Sequence, residues 1–177
     1  MKTPFNLSLA MFICFLTFGC KEQPEPGTAE APVAEVDLIH DSFPEAKKEV
    51  AQTLEDIAQS VMDGDIDKLI AFHAYGPKFT EFKEGAPRNG SQENENFERN
   101  TFSAVTEAVK MGMDDLKIAV YGDVANATFH TDFHLKFGED LVVVNEQISL
   151  LFVKDTEGEW KIVHEHHSPL TVAATEG

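Results

Sequence analysis

The hydrophobic period of this chain changes once, and that change constrains the fold more than any other feature. Before it, apolar residues recur at helical spacing; from Leu116 onward they alternate with a period of two. Ser42-Phe43-Pro44-Glu45 has the spacing of a capping box, and Val50, Leu54, Ile57, Ala58 and Val61 then predict a first helix that Asp63-Gly64 ends. Asp65 can cap a second, short helix carrying Ile66, Leu69, Ile70 and Phe72. A short strand is expected at 79–82, then a polar loop through Gly85, Pro87 and Gly90. A third helix is expected from about Glu93 to Lys110, with Phe97, Ala104, Val105, Ala108 and Val109 on its apolar stripe. Four strands follow, at 116–121, 124–137, 141–154 and 159–168, with turns at Gly122, Gly138 and Gly158. Helices first and a strand meander last predict an α+β domain with helices on one sheet face.

The third of these strands carries more information than the others. Ile148, Leu150 and Phe152 lie on one side and Leu151 and Val153 on the other, so neither face is polar. A strand with one face in water alternates instead. One face is expected against the helices and the other against a second copy of the chain, which predicts a homodimer.

The chain has 177 residues, enough for one ordinary domain. Its net charge of −17 and pI near 4.6 exclude a nucleic-acid partner and docking through a basic patch on anionic lipid. Acidity of this kind serves solubility.

The first twenty residues differ from the rest. The run from Leu7 to Phe18 is almost wholly apolar but too short to span a hydrocarbon core of ~30 Å, and it suits the h-region of an export signal. Its end, Leu16-Thr17-Phe18-Gly19-Cys20, resembles a lipoprotein processing site, in which the signal is cut before a cysteine that is then acylated. Gly19 and Cys20 match; the leucine stands one residue further out than the pattern has it. The resemblance implies a signal peptide at 1–19, lipidation at Cys20, and membrane attachment through that anchor alone. Residues 20–40, rich in proline and carboxylates, are expected to form an extended acidic tether. The domain is then 41–170 and the tail 171–177. The only other cysteine, Cys14, lies inside the apolar run, so no disulfide framework exists.

The order helix–helix–strand–helix–four strands, ending in Trp160-Lys161-Ile162-Val163-His164-Glu165-His166-His167-Ser168, resembles the SnoaL-like branch of the nuclear-transport-factor-2-like superfamily. Gly158, Trp160, Ile162, His164, His166 and Ser168 fit its terminal pattern Gly-x-Trp-x-Ile-x-His-x-His-x-Ser. The resemblance implies a curved antiparallel sheet, a cone-like half barrel with the three helices packed on its concave face. It implies no single activity, because the superfamily holds isomerases, dehydratases, cyclases and non-catalytic binding or assembly modules. Tyr75 and Tyr121, the only tyrosines, stand in no isomerase motif.

Seven histidines are present. His164 and His166 share one face of their strand, as do His130 and His134 of another. An intervening strand separates the two pairs by roughly 9.5 Å, too far for donors that must converge within ~2.1 Å of one ion. No metal site is therefore expected, and no cofactor motif appears. Strict alternation groups Lys161, Val163, Glu165 and His167 on one face of the last strand and Trp160, Ile162, His164 and His166 on the other. The resemblance implies that Glu165 and His167 face the cavity. As a carboxylate–imidazole pair they are the candidate binding or acid–base residues, with sheet-rim hydrogen bonding as the competing account. His73, Tyr75, Phe79 and Phe82 are the candidate aromatic wall, or ordinary core. His130, Asp132 and His134 read as a solvated or interface face.

Three functional readings follow: a dimeric module binding a small or peptide ligand, a cofactor-independent isomerase, cyclase or dehydratase, and a structural assembly domain. A cavity well below ~300 Å³ would exclude an ordinary ligand site.

Overall fold

The computed structural model of the chain describes residues 36–171. The proposed signal, Cys20 and most of the tether lie outside the described residues, as does the tail beyond Thr171. Within them the order is α1 (Pro44–Asp63), α2 (Ile66–Ala71), β1 (Thr80–Lys83), α3 (Ser91–Ser103), β2 (Glu107–Tyr121), β3 (Val124–Phe137), β4 (Asp140–Val144), β5 (Glu146–Lys154) and β6 (Trp160–Pro169). None of the described helices is long and apolar enough to cross a membrane.

The α+β class and the curved, unclosed sheet agree with expectation. The strands run in the order β1-β6-β5-β3-β2, with β4 also paired to β3. The sheet is mixed rather than antiparallel, because β1 lies parallel to β6, with Glu81 opposite Glu165 and Lys83 opposite His167. Local periodicity cannot reveal a pairing between strands so far apart in sequence.

Bulges give the sheet its bend. In β2 the register shifts between Ala108 and Lys110 and again between Asp114 and Lys117, where Asp115 has φ 50°. The expected third strand is broken at Asn145 into β4 and β5, which pair with successive stretches of β3. Thr131, buried on β3, spans the break: its hydroxyl donates to the Val144 carbonyl (2.9 Å) and accepts from the Glu146 amide (2.8 Å).

Helix ends obey local chemistry unevenly. Asp65 caps α2 by accepting from the Lys68 amide (3.0 Å), as its position predicts. The Ser42 capping box does not form; α1 is entered through Phe43 in a left-handed conformation (φ 43°), with Pro44 in the first turn. The third helix stops at Ser103 instead of Lys110. Strand pairing takes over those residues, as the Thr106 amide bonds the Lys136 carbonyl (2.8 Å) and Glu107 pairs with Lys136.

The core lies between the helices and the concave face. Val50 and Leu54 of α1 meet Phe79, Phe129, Ile148, Leu150, Phe152, Trp160 and Ile162. A second cluster joins Val61, Leu69 and Leu135. The Glu49 carboxylate ties α1 to the β5–β6 hairpin, accepting from Trp160 Nε1 (2.9 Å) and Lys154 Nζ (2.6 Å).

Candidate functional site

The last strand does not alternate as its sequence suggests. Phe152 pairs with Ile162 and Leu151 with His164, so Val163 is left out as a bulge. A one-residue slip moves everything beyond it to the other face. Trp160 and Ile162 therefore share the buried face with Glu165 and His167, while His164 and His166 turn outward. The inward placement of Glu165 and His167 agrees with the resemblance; the outward grouping of Trp160 and Ile162 does not occur.

Glu165 is the hub. Its Oε1 accepts from His73 Nε2 (2.9 Å), and its Oε2 accepts from Asn94 Nδ2 (3.1 Å) with His167 Nε2 3.4 Å away. His167 Nδ1 is bonded to Glu146 Oε2 (3.0 Å). His73 is held by its backbone, since residues on either side of it exchange hydrogen bonds with Ile162, and by a bond from Nδ1 to the Leu69 carbonyl (3.2 Å). Its ring stacks on Tyr75 with centroids 5.0 Å apart, and Phe79 packs edge-on against both. Tyr75 donates to Asn94 Oδ1 (2.5 Å). Of the expected aromatic wall, Phe82 is the exception: it lies on the outer face against His164 and His166, because alternation along β1 turns Glu81 inward instead.

Besides Glu81 and Glu146, sequence reasoning missed Asn94 and Glu98, four residues apart on α3. Both are buried, whereas Phe97, expected on the apolar stripe, lies toward solvent beneath Lys83 Nζ (4.1 Å from the ring centre). The available signal was an i, i+4 polar pair in a helix with few apolar residues.

Burial and charge push the ionisable groups apart. Burial, reinforced by the Glu165 charge, pushes the Glu98 carboxyl up to about 7; it makes no side-chain hydrogen bond among the described residues. For Glu165 burial acts in the same direction but is outweighed by the neighbouring His167 and the bonded His73 imidazole, which hold its carboxyl well below the usual range. Burial would lower His167, yet its bond to Glu146 and the nearby Glu165 carboxylate push it up to about 9. His73 is raised for the same reason, burial being overcome by Glu165. Near neutral pH the site thus holds an ionised Glu165 beside a protonated His167, facing a Glu98 that is partly protonated. Separated values of this kind distinguish acid from base.

These groups form one wall of a cavity of about 90 Å³, whose other walls include Ile57, Val61, Met111, Met113 and Phe133. An apolar chamber with a few convergent polar groups is the usual form of a ligand site, but ordinary ones hold ~300 Å³ or more. A peptide or drug-sized molecule does not fit this conformation. On the outer face His134 Nε2 bonds Asp132 (2.7 Å), which also pairs with Lys110.

A family model described as the SnoaL-like domain matches residues 50–172. The chain belongs to the SnoaL-like family. No curated protein matches this SnoaL-like chain. Its fold is similar to that of a candidate dehydratase of the NTF2-like family from Streptomyces avermitilis, with TM-score 0.64 and 18% identity, covering 73% of this chain and 99% of that one. A nuclear transport factor 2-like superfamily protein from Salmonella enterica aligns with TM-score 0.62 and 21% identity over 76% and 98% of the two chains. A candidate ketosteroid isomerase from Shewanella frigidimarina aligns with TM-score 0.53 and 17% identity over 68% and 94%. At these identities the likeness carries the fold of the SnoaL-like domain and not an activity.

Proposed function

We propose that this SnoaL-like domain binds a compact molecule of a few heavy atoms, with an apolar body and one polar end, in the cone cavity. The observation that carries this reading is the pairing of an uncommitted buried carboxyl, Glu98, with His167 and Glu165 on one wall of an otherwise apolar chamber. A carboxyl partly protonated near neutral pH and free of hydrogen bonds in such a place can donate to or accept from a ligand. Native mass spectrometry of the purified chain, seeking a small non-covalent adduct lost in Glu98→Gln, tests it.

A second reading, a cofactor-independent isomerase, cyclase or dehydratase, is favoured by the separation of the Glu98 and Glu165 pKa values. In it Glu98 and His167 exchange a proton with the substrate, while Glu165 orients His167. The candidate dehydratase and isomerase among the similar structures agree with this reading without selecting a substrate.

The protein acts, on this proposal, outside the cytoplasm, held to a membrane by acylated Cys20 through the acidic tether. More than one acyl chain at ~0.8 kcal/mol per buried methylene makes such an anchor stable. It also acts as a homodimer joined through the outer sheet face. Leu151, Val153 and Val163 are only half-buried there, and Phe82 is 46% exposed.

A further inference from the structure

We propose that Glu81, Glu165 and His167 form a binding site for a divalent first-row metal ion such as zinc. One carboxylate oxygen from each glutamate and one His167 ring nitrogen all lie within 4.8 Å of one another. Two of the three donor atoms make no hydrogen bond among the described residues. Glu81 is 1% exposed and its Oε1 has no hydrogen-bond partner, and the same is true of the buried His167 Nε2. Leaving such atoms buried and unpaired is costly, and an ion at their meeting point removes the cost.

The surroundings fit as well. Every donor residue is held by a hydrogen bond from its other side, as ligand-orienting partners hold metal ligands. Glu146 binds His167 Nδ1 (3.0 Å), which turns Nε2 toward the glutamates. His73 and Asn94 hold Glu165, and Asn89 Nδ2 binds Glu81 Oε2 (2.9 Å). His167 Nε2 and Glu165 Oε2 are 3.4 Å apart, the edge length of a tetrahedron with ligand bonds of about 2.1 Å. Two carboxylates neutralise a divalent ion. The imidazole selects a borderline metal over calcium or magnesium, which prefer all-oxygen sets. Lys83, the nearest ammonium on β1, is engaged by the Phe97 ring and forms no ion pair among the described residues. On binding, the ion replaces any proton on Nε2 and releases it to solvent. Glu165 and His167 also line the cavity.

The sequence spacing of His130, His134, His164 and His166 predicts no metal site. The parallel β1–β6 pairing assembles a different set.

The test uses the full chain, purified in detergent, stripped with EDTA and titrated with Zn²⁺ by calorimetry. It is expected to bind one ion per chain. Glu81→Gln and His167→Gln are each expected to weaken binding by at least ~100-fold, and Glu146→Gln by about 10–100-fold. His166→Ala, on the exposed outer face, is expected to leave it unchanged. No binding at millimolar Zn²⁺, or binding that survives Glu81→Gln, overturns the proposal. Nitrogen NMR of the wild type covers the case in which a variant fails to fold: Zn²⁺ is expected to shift the His167 Nε2 resonance, and an unmoved resonance at saturation overturns it too. None of these readouts requires the cavity ligand, so this inference and the proposed function fail separately.

Discussion

Glu81 of β1 and Glu165 of β6 stand directly opposite one another on parallel strands, both buried, at the polar end of the cone. Two carboxylates so placed need positive or neutral company. His73, His167, Asn94 and Asn89 supply it.

That company makes Asn94 structurally expensive to remove. Its amide joins Tyr75 to Glu165, so Asn94→Ala leaves a buried hydroxyl without its acceptor and a carboxylate short of a donor. We predict a loss of about 2–3 kcal/mol in urea unfolding, within the range for unsatisfied buried polar groups. Tyr75→Phe keeps the Glu165 contact and should cost only about 1 kcal/mol.

Much of this fold was legible from periodicity. The α1 stripe, the Asp65 cap and the inward face of β5 follow from residue spacing, and the last strand's motif points to the right family. The errors share one cause. Thr106 to Lys110 looked helical because Val105, Ala108 and Val109 fit a helical stripe, yet β3 offers those backbone groups partners. The Val163 bulge reversed half of β6, and nothing in residues 160–168 marks it. Glu81 was overlooked because its neighbour Phe82 looked like the core residue. Glu98 was overlooked because a buried glutamate makes sense only once Glu165 and the imidazoles stand beside it. Nonlocal pairing, unlike period, is not written into neighbouring residues.

The Glu98 carboxyl sets a pH dependence with a definite sign. Burial and the Glu165 charge raise its value from 4.5 when unfolded to about 7 when folded, against the opposing charges of His73, His167 and Lys83. The folded state thus binds the extra proton between those values. Its contribution is fully present below pH 4.5 and is lost as pH rises through 7, with a slope of at most about 1.4 kcal/mol per pH unit. We predict that Glu98→Gln flattens the stability profile across this window. A wild-type-like slope in the variant, measured by urea unfolding at several pH values, would assign the dependence to another group.

Leu54 is 1% exposed at the centre of the α1–sheet contact. Leu54→Ala should cost about 2–5 kcal/mol by the transfer and cavity terms. Denaturant melts check this, and a loss below 1 kcal/mol would mean that α1 does not seal the cone as described.

On the outer face, Leu151→Asp is predicted to dissociate the proposed dimer while leaving the core intact, because Leu151 projects away from Phe152 and its neighbours. Light scattering reads the outcome; a wild-type chain that stays monomeric at high concentration ends the dimer proposal. For the anchor, intact-mass analysis is expected to find an acylated N-terminus at Cys20, and an unmodified terminus elsewhere would leave a domain without a lipid attachment.

The most direct test of the central claim is methyl NMR of Met111, Met113 and Ile148, which line the cavity. The chain is screened against compact acids, ketones and alcohols of a few heavy atoms. The account predicts that at least one shifts these methyls saturably and that Glu98→Gln abolishes the shift. If no compound moves them, or if the variant binds as well as the wild type, the cone is filled by its own side chains and the ligand-binding account is wrong.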